Sequence, residues 1–337
     1  MPPHRIRMVD VARAAGVSQT TVSFVLSGRD AAIPEATRRR VLEAAQELGF
    51  RTNRMASSLV RKHSGTIGVI VPFVENPFLA SLVAFANRRL SARKHQPLMV
   101  LPDLHADEGA WQDALEGLLD WGVEGLLHWW DESHHDDAAV VSSPVPVVFI
   151  GSAAPPLPTD AVFVDDYGGG RAAAEHLVGL GHRRIVHLSG RRAVVGARLQ
   201  GLMDVAAERQ LPPPRVLECA SEAAEEATEI ALNLARSSAC PTALFCHNDF
   251  IAFGAFRGVR AAGLRVPEDI SLVGFDDAWA SRYIEPALTT VVFPCAEIVD
   301  TAIEFLLARL AGRADAPQRA ILPSRLVVRG STASPSS

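Results

Sequence analysis

The chain has 337 residues, 48% of them apolar, which is too long for one ordinary core and enough for two or three. No apolar run reaches the roughly 18 residues of a membrane span, and the first residues lack the pattern of a leader peptide, so a soluble, cytoplasmic protein without a membrane partner is expected. The net charge of -5 is unevenly spread: residues 1–65 carry 11 Lys+Arg against 5 Asp+Glu, and the remainder 22 against 33. A basic head able to pair with phosphates thus precedes an acidic body that limits indiscriminate sticking.

After a loose MPPHRI, residues 8–28 read as two short helices joined by a tight turn. Val9, Val11, Ala12 and Ala15 share one face, and Gly16-Val17-Ser18 supplies a left-handed stop followed by a cap. The second helix, from Gln19 to Leu26, turns Val22, Val25 and Leu26 inward. Ser18, Gln19, Thr20, Thr21, Ser23 and Phe24 are left at its beginning and outer face. Uncharged hydrogen-bonding groups at the start of a short helix suit the major groove, whose base edges present a base-specific pattern of donors and acceptors. A helical hairpin within a larger core would carry the same apolar pattern. Gly28 ends this helix, and a third follows from about Pro34 to Leu48 with Val41, Leu42, Ala45 and Leu48 as its inner stripe. Arg38, Arg39 and Arg40 read either as phosphate contacts or as a solvated face.

Residues 53–59, NRMASSL, are too short to be stable as an isolated helix. Asn53 is a good cap, and Met55, Ala56 and Leu59 line one side. Such a segment serves either as a plain linker or as a switch that orders only against a partner.

From Thr66 the pattern becomes alternating strands and helices. Apolar runs at 66–73, 97–102, 122–130 and 145–151 are predicted strands, with helices at 76–93 and 107–120 between them. A second unit begins near Asp165. Its predicted helices are 171–180, 193–209, 223–237 and 250–262, and its predicted strands are 183–190, 216–220, 243–249 and 271–277, the last of the series. A helix at 295–311 and ILPSRLVVRGS follow, and STASPSS is expected to be disordered. The predicted class is α/β: a three-helix N-terminal domain, a short hinge, and two doubly wound parallel-sheet lobes.

Ligands in such sheets bind beyond the carboxyl ends of the strands. The loops there hold Asn76-Pro77-Phe78, Trp129, Asp165-Asp166, Arg198, Asn248-Asp249 and Asp276-Asp277. Asp166, Asp276, Asn248 and Arg198 offer acceptors and donors to a hydroxylated ligand, while Phe78 and Trp129 offer a platform for a ring face. A loop cap for Asp276, a surface cation for Arg198 and a core position for Phe78 are the competing assignments.

The order DVA, AGVS, TTVS and VLSG in residues 10–28 resembles the helix-turn-helix of the LacI/GalR family of bacterial repressors. The resemblance implies a helix-turn-helix domain at 1–50 and a hinge at 51–64. It further implies an N-terminal effector lobe at 65–164 with 295–322, a C-terminal lobe at 165–294 with 323–331, and a disordered tail at 332–337. It implies that Asn53, Arg54, Ala56 and Leu59 form a hinge helix entering the minor groove, with Leu59 as an apolar wedge that kinks DNA. It aligns Arg198, Asn248 and Asp276, and the NPF loop with Asn76 and Phe78, with family effector contacts. The implied protein is a homodimer that binds palindromic operator DNA and a small-molecule effector, with no cofactor and no enzymatic activity. There is no heptad segment behind the tail, so the family's tetramerising tail is not expected.

The sequence also departs from the family's habits. Phe24 stands where an arginine is usual, Arg7 where a capping Thr is usual, Thr52 replaces a Pro before the hinge, and Phe293 replaces a Gln that often follows LTT. Other classes are weaker matches. A transport component would leave residues 1–65 without a purpose. Gly168-Gly169-Gly170 lacks the spacing of a phosphate loop. His134, His135, Asp136 and Asp137 lack metal-ligand spacing on a regular element, and Cys219, Cys240, Cys246 and Cys295 contain no CxxC pair and read as thiols.

Overall fold

The computed structural model describes residues 6–27, 33–50, 63–72, 76–102, 110–130, 142–152, 158–190, 196–219, 224–313 and 316–336. Gly28, the hinge residues Asn53, Arg54, Ala56 and Leu59, and the His134–Asp137 run lie outside them. The chain divides into two units, Met1–Gly65 and Thr66–Ser337.

The first unit holds α1 (Met8–Ala15), α2 (Gln19–Ser27) and α3 (Glu35–Glu47). Asp10 reaches back to accept the Arg7 backbone N–H at 2.8 Å, so a carboxylate at the third helical position does part of the capping work that the Arg7 side chain cannot. α1 stops at Gly16, whose φ of 62° is left-handed. The amides of Gly16 and Val17 return to the carbonyls of Arg13 and Ala12, a Schellman closure. Val11, Ala12, Ala15, Val22, Val25, Val41, Ala44 and Ala45 form the core. Val9 and Leu42, both expected inside, are exposed. At 100° per residue the faces of α1 and α3 centre on Val11 and Ala12 and on Val41 and Ala45. Met8 and Ala44 therefore complete the stripes, and Val9 and Leu42 rotate out.

The second unit contains two six-stranded sheets of matching topology. The first runs β11-β5-β4-β3-β1-β2 and is parallel throughout. Its strands are β1 (Thr66–Ile70), β2 (Gln96–Val100), β3 (Gly125–Trp130), β4 (Val147–Gly151), β5 (Asp160–Val164) and β11 (Arg319–Leu322). The second runs β12-β10-β9-β8-β6-β7, with only β12 antiparallel. Its strands are β6 (Ile185–Ser189), β7 (Arg215–Glu218), β8 (Ala243–Cys246), β9 (Ser271–Asp276), β10 (Thr289–Val292) and β12 (Arg325–Val327). Helices cover both faces. α4 (Pro77–Ala92) and α10 (Cys295–Leu310) cover one side of the first sheet, with α5 (Ala110–Asp120) on the other. The second sheet lies between α6 (Asp166–Gly179) with α7 (Ala197–Glu208) and α8 (Ala224–Arg236) with α9 (Asp249–Ala261). The inner strands of both sheets are accordingly buried on two faces, whereas the outer strands β2, β7, β11 and β12 are partly exposed.

Several elements differ from expectation. β5 and β10 were not anticipated as strands, so 271–277 is not the last of its series. Both are only four or five residues long, and the polar pairs beside their apolar residues, Asp165-Asp166 after β5 and Thr289-Thr290 at the start of β10, read as loop. α6 starts at Asp166 rather than near residue 171, because Asp165 caps it by accepting the Gly168 N–H at 2.8 Å and the three glycines continue the helix. Gly170 and Gly201 serve close packing. A Cβ on Gly170 would lie 2.1 Å from the Arg198 carbonyl oxygen, and one on Gly201 would lie 2.5 Å from that of Tyr167. The tail is not loose. Ser331 is fully buried, its Oγ donating to the Leu272 carbonyl at 2.6 Å and accepting from the Thr289 N–H at 2.8 Å. Thr332 meets His176, Ala333 meets Ser271 and His182, and the Ser336 Oγ donates to the Glu268 carbonyl. Hydroxyl-rich composition resembles disorder, but here the hydroxyls of Ser331 and Ser336 find backbone partners and that of Thr332 meets the side chains of His176 and Thr289.

Candidate DNA-reading and effector sites

In the first unit the turn delivers Ser18 to the head of α2. Its Oγ accepts the Thr21 N–H at 3.1 Å and lies 2.8 Å from the Thr21 Oγ1, so the helix start is capped by its own side chains. Ser18, Gln19 and Thr20 are exposed, Thr21, Ser23 and Phe24 are half-buried, and Val22 and Val25 hold the helix to the core. The leading turn of α2 thus presents neutral donors and acceptors on a firmly seated backbone, as reading base edges requires. Arg38 and Arg39 lie 3.8 and 3.9 Å from Glu35 and Glu43, the loose pairing of a solvated helix face.

In the second unit each sheet repeats the strand order 2-1-3-4-5, whose reversal beside its first strand opens a crevice at the carboxyl ends. The carboxyl ends of β1 and β3 and those of β6 and β8 therefore face the crevice of their own lobe. Three backbone segments cross from lobe to lobe: β5 to α6, β10 to α10, and β11 to β12. The first and third are stitched together, with the Asp165 N–H donating to the Leu322 carbonyl at 2.9 Å and the Ser324 Oγ to the Asp165 carbonyl at 2.8 Å.

The polar wall is built on the second lobe. Arg198, in the first turn of α7, is buried between two buried carboxylates. Its Nε lies 3.1 Å from an Asp166 oxygen and its Nη1 lies 3.9 Å from Asp276. The same Nη1 donates to the His247 carbonyl at 2.6 Å, and the guanidinium lies 3.7 Å over the Phe275 ring. A buried charge needs this many partners to offset its lost hydration. Asp276 ends β9 at a φ of 112°, a conformation that side chains rarely adopt and that turns its carboxylate off the strand axis. Asn248 and Asn76 each spend their Oδ1 on a helix cap, accepting the N–H of Ile251 at 2.8 Å and of Phe78 at 3.0 Å. Each amide nitrogen is left as a donor.

The aromatic cluster belongs to the first lobe and its crossover, where Phe78, Trp129 and Phe293 are buried members of the apolar core. Phe78 stands edge-on to Trp129 at 5.6 Å and to Phe293 at 4.7 Å, and Trp129 and Phe293 lie 5.9 Å apart. Trp129 thus lies at the strand end where its sequence position placed it. Of the anticipated residues, Asp166, Arg198 and Asp276 meet directly, Phe78 and Trp129 touch, and Asn76 and Asn248 head the helices that border them. Asp165 and Asp277 do other work: Asp165 caps α6, and Asp277 pairs with Arg282 and Arg329.

Phe293 is the residue that sequence reasoning left out of the site. Its position immediately after β10, at a crossover, was the available signal. Asp249 was also passed over. It is fully buried and accepts from the Ala278 N–H at 2.8 Å, the Ser281 Oγ at 2.6 Å and the Thr290 Oγ1 at 2.5 Å. Burial pushes its carboxyl up to about 7 against the opposing pull of these hydrogen bonds. It locks the segment after Asp276 to the start of α9. Among the described residues there is no cluster able to hold a metal ion and no helix long and apolar enough to cross a membrane. Cys219, Cys240, Cys246 and Cys295 are all unbridged.

Residues 7–53 match the family described as bacterial regulatory proteins, lacI family, and residues 174–332 match a periplasmic binding protein-like domain. The HTH-type transcriptional regulator DegA of Bacillus subtilis (strain 168) is 31% identical over 329 residues, spanning 96% of this chain and 97% of that protein. The ribose operon repressor of Haemophilus influenzae is 31% identical over 328 residues, spanning 96% of this chain and 98% of that protein. Among solved structures, the lac repressor dimer bound to operator and the anti-inducer ONPF superposes with a TM-score of 0.86 at 29% identity, covering 97% of this chain and 99% of that one. Full-length relatedness at this level, on a helix-turn-helix followed by two doubly wound lobes, makes the protein a non-enzymatic, DNA-binding transcriptional regulator. It is a member of the LacI family.

Proposed function

We propose that the protein is a cytoplasmic, effector-controlled repressor of carbohydrate or related catabolic and transport genes, bound as a homodimer to a near-palindromic operator. The observation that carries this reading is the Ser18-capped, solvent-facing start of α2 on a basic head. Ser18, Gln19, Thr20, Thr21, Ser23 and Phe24 read the major groove, with Phe24 offering an apolar contact to a thymine methyl. Asn53, Arg54, Ala56 and Leu59 engage the minor groove between half-sites. Asn76, Phe78, Trp129, Asp166, Arg198, Asn248 and Asp276 contact the effector. The names of the ribose operon repressor and of the operator-bound lac repressor dimer support the sugar and the dimer. Effector and operator each bias the same lobe arrangement, so each changes the other's affinity by one common factor.

The test is a mobility-shift titration of the full chain on the DNA upstream of its own gene at several salt concentrations. Affinity is expected to fall steeply with salt, by about 0.9 log units per log unit of salt for each phosphate contact. Gln19→Ala is expected to weaken specific binding about 5- to 150-fold, the 1–3 kcal/mol of one base contact, with little change on random DNA. Leu59→Ala is expected to lose specific binding with the dimer intact. Salt-insensitive binding, or none with and without candidate sugars, would defeat the proposal.

A further inference from the structure

The second sheet ends at β7, which among the described strands pairs with β6 alone, in parallel. Just beyond β7 the Cys219 N–H donates to the Ser189 carbonyl at 2.9 Å. The alternation of a parallel ladder therefore turns the backbones of Leu217 and Cys219 toward β6 and that of Val216 toward the open edge. Side chains alternate between the two faces: Val216 packs on the cluster beneath α6 and α7, and Leu217 on the cluster beneath α8 and α9. An edge that presents an outward N–H and C=O is a template for one more strand.

From β7 the chain returns through α8, and the two elements flank an open groove of about 310 Å³. Ile230, Asn233, Leu234 and Ser237 line it at the spacing i, i+3, i+4, i+7, a single helical face that runs off the end of α8. Leu217, Ile230 and Leu234 make an apolar floor, with Arg215, Asn233 and Ser237 as a polar rim. About 150 Å³ holds a benzene-sized group, so the groove has room for a branched aliphatic side chain. Arg215 is exposed, and its guanidinium has no ion pair among the described residues. The site thus combines an outward backbone pair at Val216, an apolar recess beside it and an uncommitted cation one residue further on.

We propose that the groove between β7 and α8 binds an extended segment of a partner protein, added as an antiparallel strand on the β7 edge and carrying the pattern apolar-any-acidic. The middle residue of that segment lies opposite Val216 and exchanges backbone hydrogen bonds with it. The residue before it, opposite Leu217, drops its apolar side chain onto Ile230 and Leu234, and the residue after it brings a carboxylate to Arg215. A second copy of this chain does not fit. Two-fold antiparallel pairing about Val216 sets Arg215 opposite Leu217, and pairing about Leu217 sets it opposite Cys219, in neither case opposite an acid. The proposal uses none of the operator or effector assignments above.

The experiment is fluorescence anisotropy of a labelled peptide, TTLTETT, titrated with the full chain. Saturable binding is expected with a dissociation constant below about 0.5 mM. Serine in place of the leucine is expected to weaken it at least about tenfold, the burial of one leucine side chain. Proline at the central threonine, which removes the N–H offered to Val216, is expected to weaken it about tenfold. Lysine in place of the glutamate is expected to cost about two- to tenfold. In the protein, Arg215→Glu is expected to reverse the preference, so that the lysine peptide binds more tightly than the glutamate peptide. Val216→Pro removes the outward N–H at an edge position that tolerates proline, and is expected to lose the peptide while operator binding is kept.

No binding of TTLTETT, equal binding of the proline peptide, or an Arg215→Glu chain that still prefers the glutamate peptide overturns the proposal. So does a change in oligomeric state of Val216→Pro by sedimentation velocity, which would give the edge to a second copy of the chain. If circular dichroism shows that Val216→Pro does not fold, the proline and charge-exchanged peptides against the parent and Arg215→Glu chains decide the matter. None of these failures touches operator binding, which the mobility-shift titration reads separately.

Discussion

His187 and Asp249 titrate with opposite consequences, although both are fully buried in the second lobe. Burial holds the His187 imidazole down to about 3, with neighbouring Arg198 adding to the effect. The unfolded chain therefore takes up a proton between about pH 3 and 6.5 that the folded one refuses, and stability rises with pH across that window. Asp249 is raised to about 7, so between about pH 4 and 7 the folded chain holds the extra proton and stability falls as pH rises. Each slope is about 1.4 kcal/mol per pH unit, and where the windows overlap they cancel. Relative to the parent, Asp249→Asn is expected to gain stability with rising pH between about 4 and 7, and His187→Leu to lose it between about 3 and 6.5. Urea unfolding at pH 4.5, 5.5 and 6.5 measures both, and parallel profiles for the two variants would contradict these assignments. The Asn side chain can keep the Ala278 and Ser281 bonds on its oxygen and donate its nitrogen to the Thr290 Oγ1, so geometry is preserved.

At the scale of elements, the α6–α7 pair shows why some features were legible in the sequence and others were not. Strand runs such as Ala243–Cys246 announce themselves because both faces are buried and every residue is apolar. The start of α6 does not, because three consecutive glycines weigh against a helix by local propensity and are retained for a tertiary reason. α7 lies against them so closely that a side chain at Gly170 would strike the Arg198 backbone. Gly170→Ala is therefore expected to destabilise the fold by about 1–3 kcal/mol through overpacking, despite the better helix propensity of alanine. It should also shift Arg198 and weaken the effector response. Chemical denaturation reads the first, effector release of operator reads the second, and a stabilised variant with normal response would refute both.

The same contrast applies to the site. Arg198 and Asp276 carry chemistry that their residue types reveal, whereas the triangle closed by Phe293 depends on residues 215 positions apart in sequence, Phe78 and Phe293. No local pattern reports such a contact. Val9 and Leu42 erred for a smaller reason, since a short helix leaves the edge of its apolar stripe undetermined by one residue.

Across the whole receptor unit, the cleft and the outer surface share a connection. The segment after Asp276 passes Ala278, bonded to Asp249, and forms a short 3-10 helix, Trp279–Arg282. This helix and its successor display Trp279 and Tyr283, 59% and 79% exposed, with rings 6.0 Å apart. Large exposed aromatics side by side are unusual on a monomer and suit the buried centre of a subunit contact. Tyr283→Asp is expected to shift the proposed dimer toward monomer by tenfold or more in association constant, roughly 1.4 kcal/mol. Sedimentation velocity over a concentration series measures it, and an unchanged dimer would place the contact elsewhere. Operator affinity should fall in parallel, because two half-sites need two readers.

The strap formed by Ser331 to Ser336 bears on how the molecule is handled. Because the Ser331 hydroxyl bridges the Leu272 carbonyl and the Thr289 amide, trimming the chain back to Gly330 would strip two strands of a shared clasp. Such a shortened chain should be more easily digested by proteases at its second lobe, while a purification tag appended beyond Ser336 would leave the clasp fastened.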